Sequence, residues 1–177
     1  MNAHTDLFDR ALLKKRRQRA LMRAKPGADF LLANVADDLR DRLLLINRSF
    51  KTAVDLGGHT GRISRAIEET GKSERLLRAD LFFADPHLPA PDLVFDDALL
   101  PLKDQSVDLI VSALNLHLVN DLPGSLIQVR RALAPDGLFL AVLPGAGTLT
   151  ELRDSLTRAE LETTGGAAAS VLPFADT

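Results

Sequence analysis

Lys51-Thr-Ala-Val-Asp-Leu-Gly-Gly-His-Thr-Gly61 is the stretch of sequence that decides the fold. Its segment Thr52–Leu56 suits a short strand covered on both faces. The glycines that follow, Gly57, Gly58 and Gly61, allow the backbone to turn sharply and to approach a ligand closely. Apolar residues then recur at helical spacing until Gly71. A strand, a glycine-rich loop and a helix in this order present free amides at a helix N-terminus, which favours a polar or anionic part of a ligand.

The acid at Asp55 argues against a dinucleotide ligand. Dinucleotide-binding loops show G-x-G-x-x-G and place a pyrophosphate on the helix N-terminus, whereas this loop reads D-x-G-x-H-x-G. An acidic side chain before the glycines repels phosphate and suits a ligand with an amino group. The pattern resembles motif I, D/E-x-G-x-G-x-G, of class I S-adenosylmethionine-dependent methyltransferases. His59 stands where that family has its middle glycine, so its side chain could crowd the methionine part of the cofactor or force the loop open.

Composition restricts the class of protein. A chain of 177 residues, 46% hydrophobic and 26% charged, suggests one soluble globular domain. The absence of cysteine excludes disulfides, thiolate metal sites and a cysteine nucleophile. The net charge of −2 gives no reason to expect binding to nucleic acid. No apolar run approaches the ~20 residues that a membrane span needs, so no membrane association is expected. Because the N-terminus lacks the apolar core of a secretory signal, we expect a cytoplasmic protein.

Charge is concentrated at the N-terminus. Residues 1–26 hold eight basic and two acidic residues, a net charge of +6, so the remainder carries −8. The dense run Lys14–Arg19 is first interpreted as a solvated helix face, because blocks of like charge usually form one. Two other interpretations stay open, a docking surface for an acidic partner and a lid over an acidic cofactor site. A mitochondrial-type presequence has less support, since Asp6 and Asp9 are unusual in one.

The pattern of apolar residues predicts strands that alternate with helices. N-terminal helices in residues 1–49 are expected at 6–24 and 30–47, the second capped by Asp29 and packed through Leu31, Val35, Leu39, Leu43 and Ile46. Strands are expected at 52–56, 75–80, 92–95, 107–112 and 137–143, with a loop at 82–91 and a turn at Pro135-Asp-Gly137. Further helices are expected after Gly61, after Asn120 or Asp121, and at 148–163. Such alternation predicts a Rossmann-like, doubly wound parallel sheet over residues 50–164. Residues 165–177 are expected to form a flexible tail.

Candidate ligand-binding residues follow four predicted strands at their carboxyl ends, where open α/β sheets bind ligands. They are the glycine loop after the first strand, Asp80 and Leu81 at the second, Asp96 and Asp97 after the third, and Ser112 and Leu114 at the fourth. A carboxylate at Asp80 can accept hydrogen bonds from both hydroxyls of a ribose. An acid at position 96 or 97 can accept one from an adenine amino group. The competing interpretation is that these acids only cap helices and solvate loops.

The resemblance to class I methyltransferases extends beyond motif I. The stretch from Asp96 to Val111 resembles their D-A-x-x-L-P-F-x-D-x-S-F-D-L-V segment, and Ala134–Leu138 resembles their L-x-P-G-G turn. A narrower resemblance, to BioC-like (type 11) methyltransferases, rests on Leu7–Leu12, Leu116–Leu122 and Gly147–Arg153. That branch includes a mitochondrial complex I assembly factor described as an arginine hydroxylase. The resemblance therefore implies a cofactor-binding fold more securely than it implies methyl transfer.

Three departures from the family bear on function. Besides His59, Leu118 replaces a usual tryptophan, and Ala146-Gly147 replaces Gly-Asp near the active face. The family's sheet has seven strands, the last two forming an antiparallel hairpin, whereas five are predicted here. A short or truncated form without that hairpin would expose one sheet edge, which favours a homodimer.

The resemblance implies S-adenosylmethionine as cofactor and S-adenosylhomocysteine as product, with Asp55, the glycine loop including His59, and the strand-end residues above holding it. The methyl acceptor would be an oxygen or nitrogen of a small molecule or protein. His117, after the fourth strand, is the candidate general base, against the simpler interpretation of a packing or capping histidine. The four histidines show no metal-ligand spacing, so no metal is expected. A hydroxylase related to the assembly factor and a non-catalytic binding protein remain the alternatives.

Overall fold

The structure is a computed structural model that describes residues 6–23, 25–82, 90–166, 168 and 170–174. It divides into two units, Met1–Val142 and Leu143–Thr177. Five helices are described: α1 (Arg10–Arg23), α2 (Phe30–Leu45), α3 (Arg62–Glu69), α4 (Leu122–Ala132) and, in the second unit, α5 (Thr150–Thr164). Most of the loop predicted at 82–91, and part of the tail predicted at 165–177, lie outside the described residues. None of the described helices is long and apolar enough to cross a membrane.

The sheet has five parallel strands in the order β3-β2-β1-β4-β5. They are β1 (Phe50–Leu56), β2 (Ser73–Asp80), β3 (Leu93–Val94), β4 (Val107–Ala113) and β5 (Leu133–Val142). The strand order reverses between β1 and β4, and such a switch point opens a crevice at the carboxyl ends of the strands. The predicted Rossmann-like parallel sheet is therefore confirmed.

Helices cover both faces of the sheet because the strands are apolar on both faces. Successive residues of a strand point to opposite sides, and both Ala53 and Val54 are fully buried. Ala53 packs in a cluster with Leu39 of α2 and Ile63 of α3, whereas Val54 packs in a second cluster with Val129 of α4. The α3 face predicted after the glycine loop is confirmed by the burial of Ile63, Ala66 and Ile67.

Two details of α2 differ from the sequence prediction. Its buried face consists of Leu32, Ala36, Leu39 and Leu43, and the predicted Leu31 is 51% exposed. Leu39 and Leu43 are buried as predicted, and Val35 and Ile46 pack against the same cluster; at the first turn, packing buries Leu32 in place of its neighbour Leu31. Asp29 precedes the helix, but its side chain makes no capping hydrogen bond and accepts one from Arg62 instead, with Arg62 Nη2 3.1 Å from Asp29 Oδ1.

The predicted turn at Pro135-Asp-Gly137 lies inside β5. Val107 pairs with Leu133 while Leu109 pairs with Leu138, so these residues form an irregularity in which β5 carries extra residues. Asp136 has a φ of +62°, and its carboxylate accepts a hydrogen bond from Arg48 Nη1 at 2.7 Å. The turn-forming residues thus bend a strand without ending it.

We predict that Leu109→Ala lowers the free energy of unfolding by about 2 to 5 kcal/mol, since it removes a side chain that is 1% exposed on the interior strand β4. Leu99→Ala is the matched control, because Leu99 is 74% exposed and should change stability by less than about 0.5 kcal/mol. Chemical denaturation of both variants measures the difference. Equal losses would contradict the placement of Leu109 in the core.

Candidate functional site

The glycine loop after β1 folds over the carboxyl end of β2. The amides of Gly57 and Gly58 both donate to the Ala79 carbonyl at 2.9 Å. Gly57 has a φ of +86°, and a Cβ there would overlap the side chain of Asn115; a Cβ at Gly58 would overlap the stem of Arg78. The loop therefore needs glycine at both positions because it packs against two buried side chains.

Asp55 lies beneath this loop and is 1% exposed. Its Oδ2 accepts a hydrogen bond from Ser64 Oγ at 2.6 Å, while its Oδ1 is buried and has no hydrogen-bond partner among the described residues. Burial raises the pKa of Asp55 to about 7, although Ser64 and Arg78 act in the opposite direction. With this pKa, Asp55 is only partly charged at neutral pH. It is therefore better suited to orienting the loop than to binding a ligand through a permanent negative charge.

Asp80, at the end of β2, is paired with a residue from α1. Arg17 Nη2 donates to Asp80 Oδ2 at 3.0 Å and to His59 Nδ1 at 2.9 Å, and the guanidinium carbon lies 5.1 Å from the centre of the Phe82 ring. The amide of Leu81 donates to Asp80 Oδ1 at 2.7 Å. The Asp80 side chain is only 2% exposed, so its charge is neutralised inside the protein rather than by water.

A second arginine of α1 joins the acids that follow β3. Arg10 forms ion pairs with Asp96, at 2.8 Å, and with Asp97, and it donates to the Leu118 carbonyl at 2.9 Å. The buried amide of Asn115 donates to the other oxygen of Asp97. The predicted adenine-binding acids are thus tied to α1 on one side and to the end of β4 on the other.

The two neighbouring acids differ in their pKa values. Burial raises the pKa of Asp97 even though Arg10 and Asn115 stabilise its charged form. Burial acts in the same direction on Asp96, but the hydrogen bond from the Ala98 amide and the Arg10 contact outweigh it, so the pKa of Asp96 is lowered. Of the pair, Asp96 therefore holds the negative charge more firmly.

His59 bridges the glycine loop and the end of β4. Because a guanidinium group only donates, His59 Nδ1 accepts from Arg17, and Nε2 donates to the Ala113 carbonyl at 3.1 Å. Burial and the charge of Arg17 lower the pKa of His59 to about 3, so the ring is neutral at neutral pH. His59 and Leu114 have φ values of +42° and +51°, a conformation that costs non-glycine residues energy. Both strained residues adjoin the same crevice.

The remaining predicted site residues lie near this crevice with different contacts. The buried Ser112 hydroxyl donates to the Leu56 carbonyl at 2.9 Å, a cross-link between β4 and β1. Leu114 donates its amide to the Val142 carbonyl at 2.7 Å. His117 is half-buried in a single 3-10 turn, Leu116–Leu118, and burial lowers its pKa. Within the part of the chain that the structure describes, no cluster of acidic and histidine side chains could hold a metal ion.

The site also contains residues that sequence reasoning did not assign. Arg10 lies within the Leu7–Leu12 stretch that resembles the BioC-like branch, and Arg17 lies within the basic run. Their contacts agree with the interpretation of that run as a lid, while Lys14 and Arg16 are exposed, as a solvated face would be. No sequence signal marked Asn115, because a single amide between apolar residues carries no pattern.

Comparisons with known proteins agree with this architecture. A family model described as a methyltransferase domain matches residues 54–141. The chain is 36% identical over 178 residues to the mitochondrial arginine-hydroxylase NDUFAF5 of Homo sapiens, an alignment that covers 96% of this chain and 51% of the relative. It is 33% identical over 159 residues to the malonyl-[acyl-carrier protein] O-methyltransferase of Xylella fastidiosa, covering 81% and 53%. The chain thus spans about half the length of these curated relatives.

A solved structure shows the same fold at low sequence identity. It is the Haemonchus contortus phosphoethanolamine N-methyltransferase 1 in complex with phosphoethanolamine and S-adenosylhomocysteine, with a TM-score of 0.62 and 18% identity. The match covers 85% of this chain and 34% of that protein.

The raised pKa of Asp55 predicts that stability depends on pH. The usual value is 3.8 and the folded value about 7, so the folded state binds the extra proton; this contribution is complete below about pH 4 and is lost as the pH rises to about 7. Asp55→Asn removes the titration. The free energy of unfolding of Asp55→Asn, relative to that of the native chain, should therefore increase by roughly 2 to 3 kcal/mol as the pH rises from about 5 to about 8.

Denaturant unfolding at several pH values measures this difference. Asp136→Asn is the control, because that side chain is 94% exposed. A difference between Asp55→Asn and the native chain that does not change with pH would show that Asp55 does not titrate near neutrality.

Proposed function

We propose that this chain, which belongs to the class I S-adenosylmethionine-dependent methyltransferase family, transfers a methyl group from that cofactor to an oxygen or nitrogen of a small molecule or protein. The observation that carries the proposal is the row of acids, Asp80, Asp96 and Asp97, at the carboxyl ends of β2 and β3 beside the glycine loop. Carboxylates there accept hydrogen bonds from neutral donors, and the ribose and adenine of the cofactor supply such donors.

The residues present fit an adenosine-containing cofactor. Asp80 has two oxygens that would accept from the two ribose hydroxyls. Asp97, or Asp96 beside it, would accept from the adenine amino group. Gly57 and Gly58 let the loop pack tightly against Asn115 and Arg78, beside the strand ends where the cofactor would lie. Asp55, with its unpartnered Oδ1 beneath the loop, would orient the backbone that meets the methionine part.

Methyl transfer depends more on the alignment of the acceptor with the sulfonium than on acid–base groups. When bound, the cofactor supplies a methyl group on a sulfonium, and it leaves as the thioether S-adenosylhomocysteine. The residues of the chain would hold the two reactants in line for the transfer. Where the acceptor must lose a proton, His117 would take it, because burial lowers its pKa and keeps the ring neutral at neutral pH.

A second candidate function is hydroxylation of a protein arginine, in which molecular oxygen would be the oxidant, one oxygen atom would enter a C–H bond, and an external two-electron reductant would reduce the other to water. It is favoured by the relative named arginine-hydroxylase, which aligns with 96% of this chain. Mass spectrometry of acceptor proteins separates the two reactions, since methylation adds one carbon and two hydrogens and hydroxylation adds one oxygen. Cofactor binding without either product would support a non-catalytic binding protein.

Location and assembly are further proposals. The location we expect is cytoplasmic, and the mitochondrial name of the relative gives the alternative. Microscopy of a tagged chain distinguishes the two. A homodimer through β5 is supported by the position of that strand at one end of the described sheet, with all but two of its residues half-buried. Light scattering of the purified chain measures its mass directly.

We predict that Asp80→Asn weakens binding of S-adenosylhomocysteine by about tenfold or more, because an acceptor of two charge-assisted hydrogen bonds is replaced by a neutral amide. Asp104→Asn, which alters an exposed acid paired with Arg131, should change the affinity less than twofold. Calorimetric titration gives both constants, and thermal unfolding checks that each variant is folded. Equal affinities of Asp80→Asn and the native chain would contradict a ribose site at Asp80.

A further inference from the structure

The helix α1 is attached to the site by charge rather than by apolar packing. No residue of α1 is buried. Its Arg10 and Arg17 side chains are nevertheless only 17% and 14% exposed, and both guanidinium groups end on carboxylates at the strand ends. Hydrophobic burial dominates the attachment of most helices. A helix held mainly by ion pairs can leave its site without exposing a core.

The same carboxylate oxygens are needed by α1 and by an adenosine group. Asp80 Oδ1 accepts from Leu81 and Oδ2 from Arg17, and the side chain is 2% exposed. Asp97 is 8% exposed and is shared between Arg10 and Asn115. Ribose hydroxyls and an adenine amino group are neutral donors, which compete poorly with a guanidinium group for a buried carboxylate. With both arginines in place, these two acids offer very little surface to a ligand.

Arg17 also blocks the neighbouring surfaces. Its guanidinium group lies over the ring of Phe82, which is 1% exposed, and its contact with His59 fixes the imidazole across to the Ala113 carbonyl. One side chain therefore covers the acid, the aromatic ring and the strained loop residue together. Removing Arg17 would free all three.

The geometry points to α1 as a self-inhibitory cover: Arg17 and Arg10 must leave Asp80 and Asp97 before an adenosine-containing cofactor binds to those acids. This inference rests on the proposed function and adds a regulation to the same site. Closed α1 and bound cofactor exclude each other, so a change in Arg10 or Arg17 that weakens the ion pairs, and leaves Asp80 and Asp97 intact, raises the affinity for the cofactor. Because the covered acids would bind only the adenosine part of the cofactor, free adenosine is a sufficient ligand for testing the cover.

The test is calorimetric titration of adenosine and of S-adenosylhomocysteine into the native chain, Arg17→Ala and Arg16→Ala. Arg16 is the matched control, because it is the adjacent cation of α1, is exposed, and gives the same change in net charge. We expect Arg17→Ala to bind both ligands about tenfold more tightly, on the scale of one charge-assisted hydrogen bond. Arg16→Ala should stay within about twofold of the native chain.

Arg10→Ala is a second variant that opens the other ion pair, and it should also raise both affinities. Thermal unfolding confirms that each variant is folded. Equal binding by the native chain and Arg17→Ala would overturn the cover and leave the proposed function standing. Weaker binding by Arg17→Ala would overturn it as well, because Arg17 would then be a ligand of the cofactor. Binding of neither ligand to any folded variant would overturn both the cover and the proposed function.

Discussion

A buried negative charge at the end of β2 is the constraint on which the arrangement of the site depends. Asp80 is 2% exposed, and a carboxylate in such a place must be paired. Arg17 supplies the pairing charge at 3.0 Å and so holds α1 over the crevice. Arg10 repeats the arrangement one strand further on, at Asp96 and Asp97. The position of the basic N-terminal helix follows from the acids at the strand ends.

The loop after β1 shows a second consequence of the same contacts. His59 has a φ of +42°, where glycine would fit with less strain, and its ring is held by Arg17 on one side and by the Ala113 carbonyl on the other. Those two hydrogen bonds offset the unfavourable backbone conformation. A histidine at this position thus has a structural reason in the closed arrangement, and the departure from the family's glycine and the presence of Arg17 belong together.

The sequence predicted the parts of the fold that depend on periodicity. The parallel sheet followed from the alternation of apolar strands with amphipathic helices, and Asp80 was identified because it ends one of those strands. On α2, Leu39 and Leu43 are buried as predicted, and only Leu31 was wrong, because Leu31 and Leu32 are equally apolar and packing alone decides between them. Pro135-Asp-Gly137 has the composition of a turn, but pairing with β4 on both sides kept it within β5.

The contacts between distant segments could not be predicted in the same way. Arg10 and Asp97 are 87 positions apart, and no local pattern joins them. Arg10 and Arg17 share a helix face with the half-buried Leu13, but this spacing does not show that they meet carboxylates, whereas Lys14 and Arg16 face solvent. The roles of the individual acids in holding a cofactor stay predictions.

Hydrogen–deuterium exchange of the native chain, with and without saturating S-adenosylhomocysteine, tests most directly whether α1 and the cofactor compete for the same acids. If they do, bound ligand should speed exchange of the amides of α1 while it slows exchange in the loop Gly57–Gly61. Slower exchange in α1 on binding, or an unchanged α1 beside a protected loop, would show that the helix does not have to leave, and that the acids it holds are not the cofactor's.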